Sequence, residues 1–454
     1  MDGIRIIRGS DQIGGVVTEF RKGDHRILID FGANLPGTKA KISDEMLVDM
    51  VFSEEGKSVH TDAVLFTHYH GDHVGLKNHI PDGIPMYVGE TAKEIMKIIA
   101  KPVDYLKQKQ GRGNEIELPT IEKMEPYWPR GTAKDFGWIR VTPLMCDHSA
   151  LDAYMFVLEM NGKRILYTGD FRAHGISGEI TFEKMIKKYV GKIDILVTEG
   201  TMVTRMQEEK NNHIRTEEDL RREAKKVFEE HKENVVLVSS TNLDSIMEFY
   251  QATPRDKNFL CDLYQAKVMR VAMEARSEWF SQYRFKKRIY VLCPDENPFY
   301  LKELRDWKVK VQGDEVSVVD LADPEIYLKR GFVMLARPNR NPDFEKGRFE
   351  QRMEQMKDPF ITYSMWEGYL EGGKAEDPDV VKFMQGHMDE AHVKKLHTSG
   401  HAYVEDLKKL MDLTKPDRII PMHTEAGEAF AKLEIFKEYA DKIDKKSDGE
   451  VYEV

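Results

Sequence analysis

A short segment near residue 70 combines three histidines with one carboxylate, all within six positions. These residues are His68, His70, Asp72 and His73, and they directly follow the apolar run 63–66. Because a strand points alternate side chains to one face, His68 and His70 are expected to face the same point where the strand ends. Gly71 permits the sharp turn that returns Asp72 and His73 to that point.

Two facing pairs of such residues predict a site for two metal ions. Imidazole nitrogen and carboxylate oxygen are the ligands of hydrolytic zinc, whose catalytic sites keep one position open for water. The alternative interpretation is a surface loop that is rich in histidine by chance. The spacing favours a site for two Zn²⁺ ions per chain, with Mn²⁺ as the alternative metal.

Other acids and histidines end apolar runs elsewhere in the chain. They are Asp30, His148, Asp170 and Glu199. An acid at the end of a strand often only caps a turn, and a single histidine is usually structural. Cys146, close to His148, is interpreted as a small buried hydrophobe. Position alone therefore leaves a structural and a chemical role open for the acids and for His148.

The composition is that of a soluble globular chain long enough for two or three domains. Of 454 residues, 41% are hydrophobic and 32% are charged, with a formal net charge of −10. No apolar run is long enough for a transmembrane helix and the first residues lack a signal peptide's apolar core, so neither membrane contact nor export is expected. Three widely spaced cysteines predict a reducing cytoplasm rather than disulfide bonds. The negative charge does not exclude nucleic acid, since a locally basic groove is enough.

The apolar pattern predicts the strands and helices that would position these residues. Three antiparallel strands are expected within residues 4–32, and four further strands are expected between 138 and 199. From about 205 onward, helical and buried-strand patterns alternate, which is typical of an α/β unit with a parallel sheet. An amphipathic helix over about 426–441 and a frayed polar tail over 442–454 are expected to follow.

The segment His-x-His-x-Asp-His resembles the second motif of the metallo-β-lactamase superfamily. The strand before His148, the next strand and Thr168-Gly-Asp170 match the third and fourth motifs in the same order. An α/β insertion before the last histidines is the arrangement of the β-CASP branch, whose members cut nucleic acids. The resemblance implies an α/β fold in which residues 1–204 and 385–454 form an αββα sandwich and residues 205–384 form an inserted β-CASP domain.

The resemblance also assigns roles to individual residues. Asp170 is expected to bridge the two metals, and Asp30 is expected to hold the histidine loop. Glu199 corresponds to motif A, His401 to motif B and His423 to motif C. A strand-end acid and a helix-capping histidine are the structural alternatives for Glu199 and His401. The expected metal ligands are His68, His70, Asp72, His73, His148, Asp170 and His423.

The implied reaction is hydrolysis of a phosphodiester bond by a hydroxide formed at two metal ions, which leaves a 5′-phosphate and a 3′-hydroxyl. The expected catalytic residues are Asp72, Glu199 and His401. Glu199 would orient His401 and keep it protonated, so that the imidazolium stabilises the transition state or protonates the leaving oxygen. The turn at 398–401 offers hydroxyl and backbone N–H donors to a phosphate from Ser399, Gly400 and His401.

From 397 to 425 the sequence is most similar to the ribonuclease J group, which implies a nuclease for single-stranded RNA that acts from the 5′ end, internally or both. The chain departs from that group's pattern at three places. Glu-Gly-Thr at 199–201 replaces the group's usual Asp motif, and residues 363–369 replace a glycine-rich segment. A counterpart of the group's further C-terminal domain is not expected. The expected partner is single-stranded RNA, and a homodimer or an RNA-processing complex is the expected assembly. Arg337, Arg340 and the run 286–288 are candidate contacts to the strand.

Three other functions fit part of this pattern. The first four motifs fit a hydrolase of lactones, thioesters or β-lactams equally well, but such an enzyme leaves Glu199 and His401 without a task. A DNA-cutting member of the branch is the second alternative. A non-catalytic subunit is the third, and the complete set of expected ligands disfavours it.

Overall fold

The computed structural model describes residues 2–38, 40–53, 55–176, 178–206, 213–275, 289–292, 308–311, 314–317, 319–337, 352–370, 377–385 and 391–454. The chain divides into two compact units, Met1–Asn212 with Ser399–Val454, and His213–Thr398. The second unit ends at Thr398, later than the expected 384, because Val393–Lys395 pairs with a strand of the second unit's sheet. Lys286–Arg288, Cys293 and Arg340 lie outside the described residues.

The first unit contains a seven-stranded sheet in the order β22-β1-β2-β3-β4-β5-β6. Numbered in chain order, its strands are β1 (Gly3–Arg8), β2 (Val17–Lys22), β3 (His25–Ile29), β4 (His60–Leu65), β5 (Met86–Val88), β6 (Glu125–Pro126) and β22 (Val451–Glu453). β1, β2 and β3 are antiparallel, as the sequence predicts. β3, β4, β5 and β6 are parallel and need crossover connections. Those connections contain α1 (Asp44–Phe52), α2 (Gly71–Val74), α3 (Glu90–Lys109) and α4 (Leu118–Lys123).

A second, six-stranded sheet has the order β21-β11-β10-β9-β8-β7. Its strands are β7 (Lys134–Asp135), β8 (Ile139–Cys146), β9 (Ala153–Met160), β10 (Lys163–Tyr167), β11 (Ile195–Glu199) and β21 (Arg418–Met422). β8 and β10 both run antiparallel to β9, while β10, β11 and β21 are parallel to one another. The carboxyl ends of β8, β10, β11 and β21 therefore meet at one edge, where His148, Asp170, Glu199 and His423 lie.

The two sheets pack face to face across a common apolar core. Phe20 from the first sheet meets Tyr167 from the second edge-to-face, with ring centroids 6.2 Å apart. The other face of the second sheet packs against α5 (Gly178–Met185) and α11 (Val404–Thr414). α1 covers the other face of the first sheet, where buried Arg26 of β3 donates to the carbonyl of Val51. The predicted αββα sandwich is confirmed.

The second unit is built around a parallel sheet in the order β17-β14-β13-β18-β12-β19-β20. Its strands are β12 (Glu233–Val238), β13 (Asn258–Asp262), β14 (Ile289–Leu292), β17 (Val319–Leu321), β18 (Phe332–Ala336), β19 (Pro359–Ser364) and β20 (Val393–Lys395), beside the antiparallel hairpin of β15 (Lys308–Val311) and β16 (Asp314–Ser317). The helices are α6 (Glu217–Glu230), α7 (Leu243–Ala252), α8 (Leu263–Glu274), α9 (Pro324–Arg330) and α10 (Pro378–Gln385). Thr216 and Asp262 begin α6 and α8 with capping boxes. The predicted α/β insert with a parallel sheet is confirmed.

Two predictions for the end of the chain are wrong. In place of an α-helix over 426–441 there are two 3₁₀ helices, Gly427–Lys432 and Glu434–Lys442, because Leu433 between them is extended (φ −72°, ψ 127°). The tail is not frayed, since β22 pairs with β1. Within the described part of the chain, no helix combines the length and apolar character needed to cross a membrane.

Candidate metal centre

The histidine loop leaves β4 and enters α2, whose first residue is Gly71. The ring of His68 has its centroid 4.7 Å from that of His70 and 4.1 Å from that of His73. The ring of His148, which follows β8 of the other sheet, lies 4.6 Å from the ring of His68. The loop and the edge of the second sheet thus bring four imidazoles to one place in the first unit.

The predicted ligands fall into two groups that share a carboxylate. One group contains His68, His70 and His148, and a second contains Asp72, His73 and His423. Asp170 joins His68 and His73 in a third group. Within each group one nitrogen or oxygen atom per residue lies within 4.8 Å of the others. Overlapping groups of histidine and aspartate of this kind are compatible with metal binding.

Two polar atoms at this place are buried without a hydrogen bond in the described structure, Nε2 of His68 and Oδ1 of Asp170. Nε2 of His73 faces Oδ2 of Asp170 at 3.1 Å. A buried polar atom without a partner is costly, and each of these atoms is a lone-pair donor of the kind that binds Zn²⁺. The donor set therefore fits a pair of divalent metal ions.

Asp30 braces two histidines from behind. It accepts from the backbone N–H of Thr67 at 2.7 Å, and its Oδ2 lies 2.8 Å from Nδ1 of His73. The hydroxyl of Thr67 donates to Asp30 and accepts from Nδ1 of His68 at 3.0 Å. Because these bonds place a proton on each Nδ1, Nε2 is the atom through which each imidazole would bind a metal.

Two further ligands are oriented in the same way. Nδ1 of His148 donates to the carbonyl of Gly400 at 2.6 Å. Nδ1 of His423 lies 2.8 Å from the hydroxyl of Thr201, which also donates to the carbonyl of His423 at 3.3 Å. No role was predicted for Thr201, although its position directly after the Glu-Gly of motif A could have indicated one.

Burial keeps three of the imidazoles neutral. It lowers the pKa of His70 to about 4, and it lowers the pKa of His68 and of His148 well below the ordinary value. A neutral imidazole binds a metal without first losing a proton. These three imidazoles can therefore bind a metal ion at neutral pH without first releasing a proton.

The other half of the centre carries negative charge. Burial raises the pKa of Asp72 and of Asp170, but the facing imidazoles outweigh it and hold the pKa of both carboxyls below the ordinary value. Burial lowers the pKa of His73, but Asp170, Asp30 and Asp72 outweigh it and raise that pKa well above the ordinary value. Three carboxylates around one imidazole attract positive charge, either as protons or as a metal ion.

Glu199 and His401 form a pair beside the ligands. Nδ1 of His401 lies 3.1 Å from Oε2 of Glu199 and 3.7 Å from Oδ2 of Asp170. Burial lowers the pKa of His401, but Glu199 and Asp170 outweigh it and raise the pKa. Glu199 is fully buried and also accepts from the N–H of Phe171 at 3.0 Å. The arrangement favours the cationic form of the imidazole and holds it next to the Asp170 carboxylate.

The predicted phosphate donors bond to each other. The N–H of His401 donates to the hydroxyl of Ser399 at 3.1 Å, and that hydroxyl donates to the carbonyl of His401 at 3.2 Å. A phosphate at this turn would have to replace both bonds. Gly400 is required because an added Cβ would lie 2.6 Å from Oγ of Ser149. Phosphate binding by Ser399, Gly400 and His401 stays a prediction.

The turn at Ser399 is held by two residues that the sequence did not single out. Arg172 donates to the carbonyl of Ser399 at 3.1 Å, and Nε2 of His174 donates to the same carbonyl at 2.9 Å. Arg172 is fully buried and pairs with Asp147 at 3.1 Å. Arg172, two positions after Asp170, therefore connects the fourth motif to motif B through its hydrogen bond to Ser399.

Two other residues have structural surroundings. Cys146 is buried and free, as predicted for a small hydrophobe. Arg337, a candidate contact to the strand, donates to Oδ2 of Asp262 and lies over the ring of Tyr264, 4.6 Å from its centroid. Its guanidinium is already engaged, so Arg337 is a weaker candidate than its sequence position indicated.

Two family models match the chain. A beta-lactamase superfamily domain matches residues 25–238. A Zn-dependent metallo-hydrolase RNA specificity domain matches residues 390–446. All ten residues discussed as ligands, braces or members of the Glu199 and His401 pair lie inside these two ranges.

Curated relatives match over different lengths. Endoribonuclease YSH1 of Mycosarcoma maydis is 30% identical over 165 residues, which is 32% of this chain and 17% of that protein. Ribonuclease J of Mycoplasma genitalium is 21% identical over 399 residues, which is 85% of this chain and 61% of that protein. The chain therefore spans less than two thirds of either relative.

A solved structure shares the fold along the whole chain. It is the crystal structure of a protein of unknown function from Enterococcus faecalis V583, with a TM-score of 0.71 and 19% sequence identity. The match covers 98% of each chain. At this identity the similarity concerns the fold alone.

Proposed function

The chain belongs to the β-CASP branch of the metallo-β-lactamase superfamily, and we propose from this premise that it is a metal-dependent ribonuclease. One observation carries the proposal. Asp170 lies between the two groups of ligand-type residues, and His401, paired with Glu199, lies 3.7 Å from the same carboxylate. A dinuclear centre with an adjacent imidazolium is suited to phosphodiester hydrolysis.

The proposed centre holds two Zn²⁺ ions, with Mn²⁺ as the alternative. His68, His70 and His148 would bind the first ion, Asp72, His73 and His423 the second, and Asp170 both. When bound, the two ions would polarise the phosphate and lower the pKa of a bound water toward about 7. Ordinary nitrogen and oxygen ligands with orienting hydrogen bonds support this assignment.

The remaining groups would bind and orient the phosphodiester. His401 stays protonated because Glu199 faces its Nδ1, so its Nε2–H can donate to a non-bridging oxygen or to the leaving oxygen. The turn at Ser399 is fixed by Arg172 and His174, which keeps His401 from rotating with its loop. Phosphoryl transfer of this kind leaves a 5′-phosphate and a 3′-hydroxyl.

Single-stranded RNA is the proposed substrate. The match of residues 390–446 to an RNA specificity domain supports RNA, and two relatives are named as ribonucleases. Attack from the 5′ end and internal cleavage are both compatible with those names, since one relative is called an endoribonuclease. A hydrolase of lactones, thioesters or β-lactams is disfavoured because its reaction would not use the hydrogen-bonded pair of Glu199 and His401.

Localisation and assembly stay predictions. The two cysteines in the described residues, Cys146 and Cys261, are free and buried, which agrees with the expected reducing cytoplasm. The proposed assembly is a homodimer or an RNA-processing complex.

A matched set of labelled oligonucleotides tests the proposal. Single-stranded RNA, single-stranded DNA and duplex RNA are compared, each with and without a 5′-phosphate, at two salt concentrations. Single-stranded RNA should be cut fastest, with phosphorylated ends degraded at least as well as hydroxyl ends, and binding should weaken steeply with salt because phosphate contacts release counterions. Preference for DNA would assign the chain to a DNA-cutting role. Hydrolysis of a lactone or β-lactam without nuclease activity would overturn the proposal.

A further inference from the structure

Residues 449–453 are bonded to the first sheet. β22 pairs with β1 through Gly3 and Glu453, Ile4 and Tyr452, and Arg5 and Val451. The N–H of Gly449 donates to the carbonyl of Ile6 at 2.7 Å. Tyr452 is buried in the core between the two sheets. This segment is therefore fixed next to the loop that follows β1.

The carboxylate directly before this segment bonds that loop. Oδ1 of Asp448 accepts from the backbone N–H of Ser10 at 2.8 Å and from its hydroxyl at 2.6 Å. Ser10 is fully buried, so removal of the carboxylate would leave both donors without this acceptor in a place that water does not reach. An ion pair between Lys445 and Asp11 holds the next residue of the loop.

The peptide group that Asp448 bonds also contacts a proposed metal ligand. The carbonyl of Gly9 accepts from the backbone N–H of His423 at 2.6 Å. That carbonyl and the N–H of Ser10 belong to one planar trans peptide group and point in opposite directions. Asp448, the peptide between residues 9 and 10, and the backbone of His423 therefore form one line of hydrogen bonds, whose members polarise each other.

His423 needs this support because its backbone adopts a left-handed conformation. Its φ is 48°, which is unfavourable for a residue with a Cβ. In this conformation Nε2 lies 3.4 Å from Oδ2 of Asp72, and Nδ1 lies 3.5 Å from Oδ1 of Asp170. A looser hydrogen bond to Gly9 would let the backbone relax and carry the imidazole away from both carboxylates.

We propose that Asp448 is a positioning residue for His423 and, through it, for the second of the two metal ions. The proposal rests on the metal centre of the proposed function. Asp448 acts on one ion alone, because the ligands of the other ion are oriented from elsewhere. Thr67 orients His68, and the carbonyl of Gly400 orients His148.

The test measures Zn²⁺ binding to the purified whole chain by equilibrium dialysis and elemental analysis, without nucleic acid. Wild-type protein should hold about two ions. Asp448→Ala should weaken one of them by about 10- to 100-fold, the usual effect of removing an outer partner of a ligand, and leave the other unchanged. Asp448→Asn should restore most of the affinity, because its side-chain oxygen still accepts from Ser10. Asp441→Ala removes an exposed acid of the preceding 3₁₀ helix and should change nothing.

A double variant shows whether Asp448 acts through His423. His423→Ala with and without Asp448→Ala should bind Zn²⁺ equally, because the residue that Asp448 positions is already absent. Additive losses would overturn the proposal, as would two ions of wild-type affinity in Asp448→Ala or equal weakening of both ions. If melting curves show that Asp448→Ala does not fold, Asp448→Ser, which cannot reach Ser10, is measured against the same expectations. One ion or none in folded wild-type protein would instead overturn the metal centre itself.

Discussion

Oδ2 of Asp30 lies 2.8 Å from Nδ1 of His73, and both side chains are fully buried. The carboxylate fixes the proton on Nδ1 and thereby leaves Nε2 of His73 for a metal ion. Through the hydroxyl of Thr67 the same carboxylate also reaches His68, which belongs to the other ligand group. One acid at the end of β3 thus orients a ligand of each proposed ion.

Asp30→Ala should weaken the binding of both ions. Because neither His68 nor His73 would then be held in one tautomer, we expect a loss of about 10- to 100-fold in Zn²⁺ affinity at each site. Competition with a chromophoric chelator measures the two affinities. Asp62→Ala is the matched control, since this acid lies on β4, the strand that precedes the histidine loop, but bonds His25 and Trp138 instead. Unchanged affinity in folded Asp30→Ala would contradict the bracing role.

His401→Ala should lower nuclease turnover by a factor of about 10² to 10⁴, the usual contribution of a positioned acid or base. Metal content should be unchanged, because His401 is assigned to the phosphate rather than to an ion. Turnover and elemental analysis are measured on the same preparation.

The metal content of His401→Ala decides between two assignments. Asp170, Glu199, His401 and His423 also form a group whose donor atoms lie within 4.8 Å of one another. Loss of an ion from His401→Ala would therefore make His401 a ligand. His60→Ala serves as the comparison, since His60 is 64% exposed on β4 and belongs to no ligand group among the described residues.

Glu248 of α7 should make the protein less stable as the pH rises. Burial raises its pKa to about 8, against the opposing effect of Arg221. Between its ordinary pKa and about 8 the folded chain binds a proton that the unfolded chain has released, so stability falls across this range. Glu248→Gln should be more stable than wild type at pH 8 by roughly 1 to 3 kcal/mol and equal to it near pH 4.5. Urea unfolding at both pH values measures the difference.

The exposed acid Glu229 of α6 provides the control for Glu248. Its side chain is 56% exposed, so Glu229→Gln should leave the pH dependence as it is in wild type. An equal stability difference at pH 4.5 and pH 8 between Glu248→Gln and wild type would contradict the burial argument.

The ligand residues that lie close together in sequence could be predicted from spacing alone. His68, His70, Asp72 and His73 belong to one loop, so strand alternation and one glycine turn already place them together. His148, Asp170 and His423 follow the ends of separate strands, and only the order of motifs assigned them to the same site. The structure gives the physical reason, because β8, β10 and β21 run in one direction.

Apart from Asp30, the residues that hold the site could not be predicted from the sequence. Ser10 and Asp448 are 438 positions apart, and no local pattern connects them. β22 contains three residues, which is too short for a period of two to be visible against the polar residues around it. The helix expected over 426–441 failed for a related reason, since apolar spacing does not distinguish an α-helix from two 3₁₀ helices joined at Leu433.

The most direct test of a dinuclear ribonuclease is elemental analysis paired with RNA cleavage on the same preparations of wild-type protein and Asp170→Ala. Purified without chelator, the wild type should hold close to two transition-metal ions per chain and should cut single-stranded RNA to products with a 5′-phosphate. Asp170→Ala should lose most of both ions and the cleavage together, because its carboxylate joins both ligand groups. Folded wild-type protein with one ion or none, or cleavage that persists after both ions are removed, would contradict the account.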